Sequence, residues 1–513
     1  MTYTVGISSG IYIEGAKDSA SYAGLSKKIY AAVLYGVNFI QLDLQHLTEF
    51  LEPNLDANMK KIKESGYTFG LHGECASFGS PILLDSAIEE EYKMANDKFK
   101  KHIEESAKIG AKYVLFHSSE STPFPLAIGH DLKDVRLVDP WGNPLNKFLD
   151  DHPSVLEWAI GSKFINEIVL NRHRIPEEED LLESEKRRYE ETNKKTLDGN
   201  ELNKMKKEIK DKIRKIKENI LKEYVVSGDH IYLPDRIAYP IIAKWMEETN
   251  HPLWESLAKG KKFESIEGKF EEWVPAVTAM YIAGHFESKN KYGSLKDILN
   301  KNKMPVVFET PMAHQPGYEL YMRLPGLVQI YTLINYINSN YAKMAVDFEH
   351  LMTCNIDPKK EIESLPSRAG DKILVIHAGA PVPYAKAHMA IELGSDAQRY
   401  LYERLWELRQ KGFKEGYLIY ERAGEEGIKS SILSLRMIKE FLEKETEPKK
   451  LPMEFYGLDQ KGPDFARQQL QIRQHALDPL KGMLTVPEEE HGFFSGAAVR
   501  KGKAKEWSEG EYK

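Results

Sequence analysis

The chain is poor in cysteine. Cys75 and Cys354 are its only two thiols in 513 residues, which excludes a disulfide framework and suits a reducing compartment. Long apolar runs are also missing, and none approaches membrane-spanning length. The N-terminus, MTYTVGISSG, has neither the basic flank nor the apolar stretch of a secretory signal, so a cytoplasmic location and no membrane partner are expected. An excess of positive charge is lacking too. The net charge is −7, so overall balance gives no case for nucleic-acid binding, although a local basic groove is compatible with it.

What is present is alternation of short apolar runs with amphipathic stretches. Thr4–Ser9, Phe39–Gln45, Tyr67–Gly73 and Tyr113–Ser118 read as four strands, with helical patterns over Leu25–Tyr35, Asn54–Ser65 and Ala87–Ile109 between them. Glycines 36, 66 and 110 close those helices. The rhythm breaks from Glu120 to Met304 and then resumes. Pro305–Thr310, Ala342–Phe348, Lys372–Ala378 and Glu415–Glu421 read as four more strands, with helices at Leu324–Ser339, Asp396–Gly412 and Ile428–Glu445. Nearly continuous apolar strands separated by helices argue for a parallel sheet, and eight such units predict an α/β fold, a (β/α)8 TIM barrel.

The expected division is a first half of the barrel at 1–123, a mainly helical insertion at 124–303, the second half at 304–446 and a C-terminal extension at 447–513. The insertion leaves after the fourth strand, on the face where barrel active sites lie, so it is placed to act as a lid or specificity domain. Within it, Leu181–Glu223 reads as two polar helices joined by Asp198-Gly199-Asn200. Its run Lys204–Lys217 is interleaved with glutamate, which marks a solvated hairpin or a self-association arm more than a nucleic-acid surface. A homo-oligomer through the insertion is compatible with this. The extension ends in a charged tail containing Arg500–Lys505, expected to be mobile.

Polar residues recur where apolar strands end: His72, His117, Glu309, Asp347, His377 and Glu421, with His350 three residues after Asp347 and His388 in the loop after the seventh strand. Singly, each reads as a hydrogen-bonded histidine or a helix cap. Together they place an imidazole or carboxylate at the same end of six strands. In a barrel those ends converge, and packed like charges need a neutralising partner. A divalent cation supplies one, and mixed nitrogen and oxygen donors suit zinc, manganese, iron or cobalt better than magnesium or calcium.

These motifs resemble the xylose-isomerase-like TIM-barrel superfamily, which contains endonuclease IV and many sugar isomerases and epimerases. The likeness covers Thr4–Glu120 and Met304–Glu445. GLHGE and VLFHSS resemble the two strand-end histidine segments of endonuclease IV. FETP carries the bridging glutamate in Glu309, and DFEH resembles that family's Asp-x-x-His. IHAGAP with AHMAIELG resembles its two-histidine segment, giving His377 and His388, and IYER carries the final glutamate in Glu421. The resemblance implies up to three ions, most often zinc, held by His72, His117, Glu309, Asp347, His350, His377, His388 and Glu421. Departures are Lys386 where the family has aspartate, which weakens a third ion site unless Glu392 or Asp396 substitutes, and Ser118-Ser119 in place of Pro-Gly.

Two activities follow from the resemblance. The first is an endonuclease IV-like phosphodiester hydrolase acting on abasic or damaged nucleic acid, with Glu309 or Glu421 orienting a hydroxide between two ions. The second is a single-ion sugar or sugar-phosphate isomerase or epimerase, with Glu309 and Glu421 as base and acid and with His72 and His117 binding substrate. The motif likeness is nearest to endonuclease IV. Cys75, His46 and His314 also lie close to predicted strand ends, and an inert thiol is the expectation for Cys75.

Overall fold

Eight short segments rich in Val, Ile, Leu and Phe leave water along most of their length, and burial of both faces requires them to form a sheet covered on each side. They are β1 (Tyr3–Ser8), β2 (Phe39–Asp43), β3 (Thr68–His72), β4 (Val114–His117), β5 (Val306–Glu309), β6 (Ala342–Asp347), β7 (Ile373–Ala378) and β8 (Gly416–Tyr420). In the computed structural model these pair in parallel in chain order, and β8 returns to β1 to close a barrel. The closing register runs from Tyr3 opposite Gly416 to Ile7 opposite Tyr420. The structure describes residues 3–9, 24–33, 35–74, 82–119, 135–173, 175–227, 235–313, 316–317, 319, 322–380, 389–421 and 427–457.

Strand side chains alternate between two faces. The inward set forms its own small core of Phe39, Tyr113, Leu115, Val307, Ala345, Val375 and Ile419. Stepping two residues toward the C-terminal end of each strand gives Gln41, His117, Glu309, Asp347, His377 and Glu421. The polar strand ends are thus the next layer of the same inward columns, at the mouth where barrel chemistry lies. A second, larger core fills the space between the strands and the helices outside them.

Between β4 and β5 the described residues are helical. The helix Phe270–Gly284 is buried continuously from Trp273 onward and packs against Leu327–Ile337. Leu295–Asn302 packs against Glu89–Ile109, which is the place of the barrel's own fourth helix. The apolar residues of this stretch belong to the same core as the barrel helices. In the hairpin of Glu178–Asn193 and Gly199–Ser227 the first helix buries no residue, whereas the second joins the core through Leu221, Tyr224 and Val225. Asp198 Oδ1 accepts from the backbone N–H groups of Asn200 (2.9 Å) and Glu201 (2.8 Å) and so starts the second helix.

Two helices lacked a clear signal. Phe348–Thr353 and Pro358–Ser364 are too short for a 3.6-residue period to emerge, and side-chain caps at Asp347 and Asp357 define them instead. Beyond the last barrel helix, Phe455 is fully buried and meets Tyr402 and Phe441 edge-on, so the start of the extension is docked. The remainder of it, including Arg500–Lys505, lies outside the described residues. Among the described residues no helix is long and apolar enough to cross a membrane.

Candidate metal centre

Glu309 ends β5 with no exposed side-chain surface, and its two oxygens face opposite ways. Oε2 lies 3.5 Å from His72 Nε2 and 3.6 Å from His117 Nε2. Oε1 lies 2.5 Å from His377 Nδ1 and 3.8 Å from His350 Nδ1. His377 Nδ1 is also 2.7 Å from Glu421 Oε2 and 3.9 Å from Asp347 Oδ2. Two groups result, one of His72, His117 and Glu309 and one of Glu309, Asp347, His377 and Glu421, with the donor atoms of each within 4.8 Å of one another.

The chemistry of these atoms tests whether a cation fits. Neither oxygen of Glu309 has a hydrogen-bond partner, and neither does His377 Nδ1, although they approach so closely. Buried acceptors turned toward one another are costly unless a positive charge sits among them. Burial pushes the Glu309 carboxyl up, but His377, with His72 and His350 behind it, holds it well below the usual carboxylate range. Burial pulls His377 down, and Glu309 and Glu421 outweigh it, leaving the imidazole well above its ordinary value. His72 is likewise pulled down by burial yet held at about 9, chiefly by Glu309. Protons on these rings serve the same electrostatic need that a divalent cation meets, so the residues fit such an ion.

The rings are aimed by what holds their far nitrogens. His72 Nδ1 meets the Gly73 carbonyl at 2.9 Å, which turns Nε2 to Glu309. His350 Nδ1 meets the Thr310 carbonyl at 2.8 Å. His377 Nε2 meets Gln41 Oε1 at 3.0 Å. A ring N–H given to an oxygen leaves the other nitrogen as a lone pair for a ligand. Asp347 divides its work: Oδ1 accepts from the His350 backbone N–H at 2.9 Å and caps the helix that follows, while Oδ2 faces His377 and His350.

Six of the strand-end residues are thus gathered in two groups, and His350 stands beside both without belonging to either. Neither Glu392 nor Asp396 is in a group. His388, Lys386, Cys75 and His314 lie outside the described residues. His46 is exposed and caps a short turn, with Nδ1 accepting from the Thr48 N–H. Running the second strand on to Gln45 hid Asp43, where β2 ends, and Gln41 before it. The available signal was two polar residues alternating with apolar ones inside FIQLD, in a strand buried throughout.

The whole is a closed parallel barrel whose mouth holds clustered carboxylates and imidazoles able to bind a metal ion. No protein-family model matches the sequence, and no curated protein matches it. Among solved structures the chain is similar to a D-tagatose 3-epimerase-like protein, at 11% identity and TM-score 0.42, covering 86% of this chain and 100% of that one. It is similar to 3-keto-D-glucoside 4-epimerase from E. coli in its apo form, at 9% identity and TM-score 0.39, covering 85% and 99%. It is also similar to the IolI protein with a bound zinc atom, at 10% identity and TM-score 0.40, covering 86% and 99%. At such identities the likeness is one of shape, and the fold stands on the strand pairing described above.

Proposed function

We propose that this protein is a metal-dependent isomerase or epimerase of a small sugar or sugar phosphate, with one cation held by Glu309, Asp347, His377 and Glu421. The observation that carries this reading is the approach of two glutamates, from β5 and from just beyond β8, to one atom, His377 Nδ1, at 2.5 and 2.7 Å. β5 and β8 are not neighbours in the barrel, so the two carboxylates reach a shared point from different walls. A divalent ion bound there would polarise the carbonyl and neighbouring hydroxyl of a sugar. Glu309 and Glu421 then form a base and acid pair. One removes the proton beside the carbonyl, and the other returns a proton to the opposite face or to the adjacent carbon. His72 and His117 border the site from the other side of Glu309 and are suited to hold substrate hydroxyls. Glu309 and His377 have no exposed side-chain surface, and Glu421 keeps 15%. A site this sunken suits a small molecule and protects a proton in transit from water. Three carboxylates with one imidazole suit manganese, cobalt or iron as well as zinc.

One observation favours a second reading. The split of Glu309, with Oε2 turned to His72 and His117, is the geometry of a carboxylate bridging two ions, as an endonuclease IV-like phosphodiester hydrolase requires. Both readings are tested by counting cations on the purified full-length protein and by following ketoses and their phosphates in D2O by proton NMR. The expected result is one cation per chain and loss of the C–H signal beside the carbonyl, absent in Glu309→Gln and Glu421→Gln. Two or more cations per chain, with cation-dependent nicking of abasic DNA and no exchange into sugars, would overturn the isomerase reading in favour of the hydrolase.

A further inference from the structure

The amide of Gln41 is fully buried in the barrel interior, beside the candidate centre. An amide there is unfavourable by a few kcal/mol, on the order of 2–7, unless its polar atoms are matched. Two groups meet its Oε1: the Tyr113 hydroxyl donates at 2.9 Å, and His377 Nε2 lies at 3.0 Å. Its Nε2 faces Asp43 Oδ1 at 3.5 Å. Asp43 is itself fixed, because Ser9 Oγ donates to its Oδ2 at 3.3 Å and accepts from its backbone N–H at 2.9 Å. A carboxylate accepts and does not donate, so Asp43 selects the NH2 end of Gln41 and turns the carbonyl oxygen to His377. Tyr113 reaches Gln41 across Gly70, where a Cβ would lie 2.4 Å from the ring. The chain therefore leaves space at β3 so that the hydroxyl of Tyr113, the residue before β4, can complete the arrangement.

An oxygen at His377 Nε2 requires a hydrogen on that nitrogen. In the neutral ring the bare lone pair is then on Nδ1, the atom that faces Glu309 and Glu421. We infer that Gln41 is a positioning residue for the cation: it holds His377 in the Nε2–H tautomer, with the ring plane set so that Nδ1 serves as the ligand atom. Tyr113 and Asp43 act through it by fixing the amide's orientation. This rests on the reading that the centre holds a cation and is independent of which reaction follows.

The test uses the full chain and zinc alone, with two readouts besides activity. Zinc affinity is measured by competition with a chromophoric chelator for the wild type, Gln41→Met and Gln41→Glu. Methionine keeps the length and volume but loses the acceptor; glutamate keeps an acceptor. The tautomer of His377 is read on zinc-loaded, 15N-histidine-labelled wild type. Loss of an oriented partner behind a ligating histidine typically weakens metal binding about 10–100-fold, and that loss is expected for Gln41→Met, with recovery in Gln41→Glu. A wild-type signal showing hydrogen on Nε2 and none on Nδ1 supports the assignment. Wild-type affinity in Gln41→Met, or hydrogen on Nδ1 of His377 in the wild type, would overturn the role of Gln41 while leaving the cation reading intact. Failure of the wild type to bind zinc or any other divalent ion would overturn both. The tautomer measurement decides the matter if Gln41→Met does not fold.

Discussion

Glu309 has one oxygen among two histidines, the other beside a third, and no hydrogen bond to either. Removing its charge has two separable effects. The buried imidazoles of His377 and His72 lose the carboxylate that holds their protons, so the metal-free variant Glu309→Gln should melt below the wild type. The shared donor of both groups disappears as well, so the variant should lose stabilisation by zinc. For the wild type, zinc at about 100 times its dissociation constant should add roughly 2.7 kcal/mol. Calorimetry with and without the ion checks this; equal stabilisation of both proteins would show that Glu309 does not touch the ion.

Among the elements, the outer part of the hairpin is the most exposed: Glu178–Asn193 buries nothing, while Gly199–Ser227 is anchored at its far end by Leu221, Tyr224 and Val225. Asp198 holds the second helix's first turn. The substitution Asp198→Ala should loosen the turn by about 1 kcal/mol. Faster amide exchange around 194–204 with an unchanged global melting temperature is the expected outcome, and a lowered melting temperature would show that the hairpin folds with the core. The same scale explains what could be read from the sequence. Most strands were visible because short apolar runs, such as VVF before Glu309 and ILVI before His377, are uninterrupted by polar residues. The gathering of His72, His117, Glu309, Asp347, His377 and Glu421 could be anticipated because closing a barrel brings all strand ends to one rim. Phe348–Thr353 escaped because Asp347 reads equally as a ligand and as a cap, and the structure uses its two oxygens for different partners. Gln41 escaped because what matters is its partner Tyr113, two strands away in the barrel and invisible to any local pattern.

For the molecule as a whole, acid sensitivity is set partly by buried histidines outside the two ligand groups. Burial pulls His285 down to about 3 and His102 and His251 down to about 4. In the unfolded chain each titrates near 6.5. As pH falls below that value the unfolded chain binds protons that the folded protein refuses. Stability is therefore intact above about pH 6.5 and is lost between there and about pH 4, by up to about 1.4 kcal/mol per pH unit for each group. Denaturant melts across this range should show the decline, with a shallower slope in His285→Gln. An identical slope in that variant would remove His285 from the account.

The barrel's seam joins Tyr3 to Gly416, and the Tyr3 hydroxyl also donates to the Phe413 carbonyl at 2.6 Å. During synthesis the first strand therefore emerges long before the strand that will cover its open edge. At 5–20 residues per second, the ribosome takes on the order of 20–80 s to cover that interval. A bare edge is a template for wrong partners for all of that time. Chains stopped at residue 412 should accumulate as aggregates, whereas the full chain stays soluble on expression, and a soluble, cooperatively melting fragment of that length would contradict this. Birth on the ribosome, more than equilibrium stability, is then the stage at which this molecule most depends on chaperones.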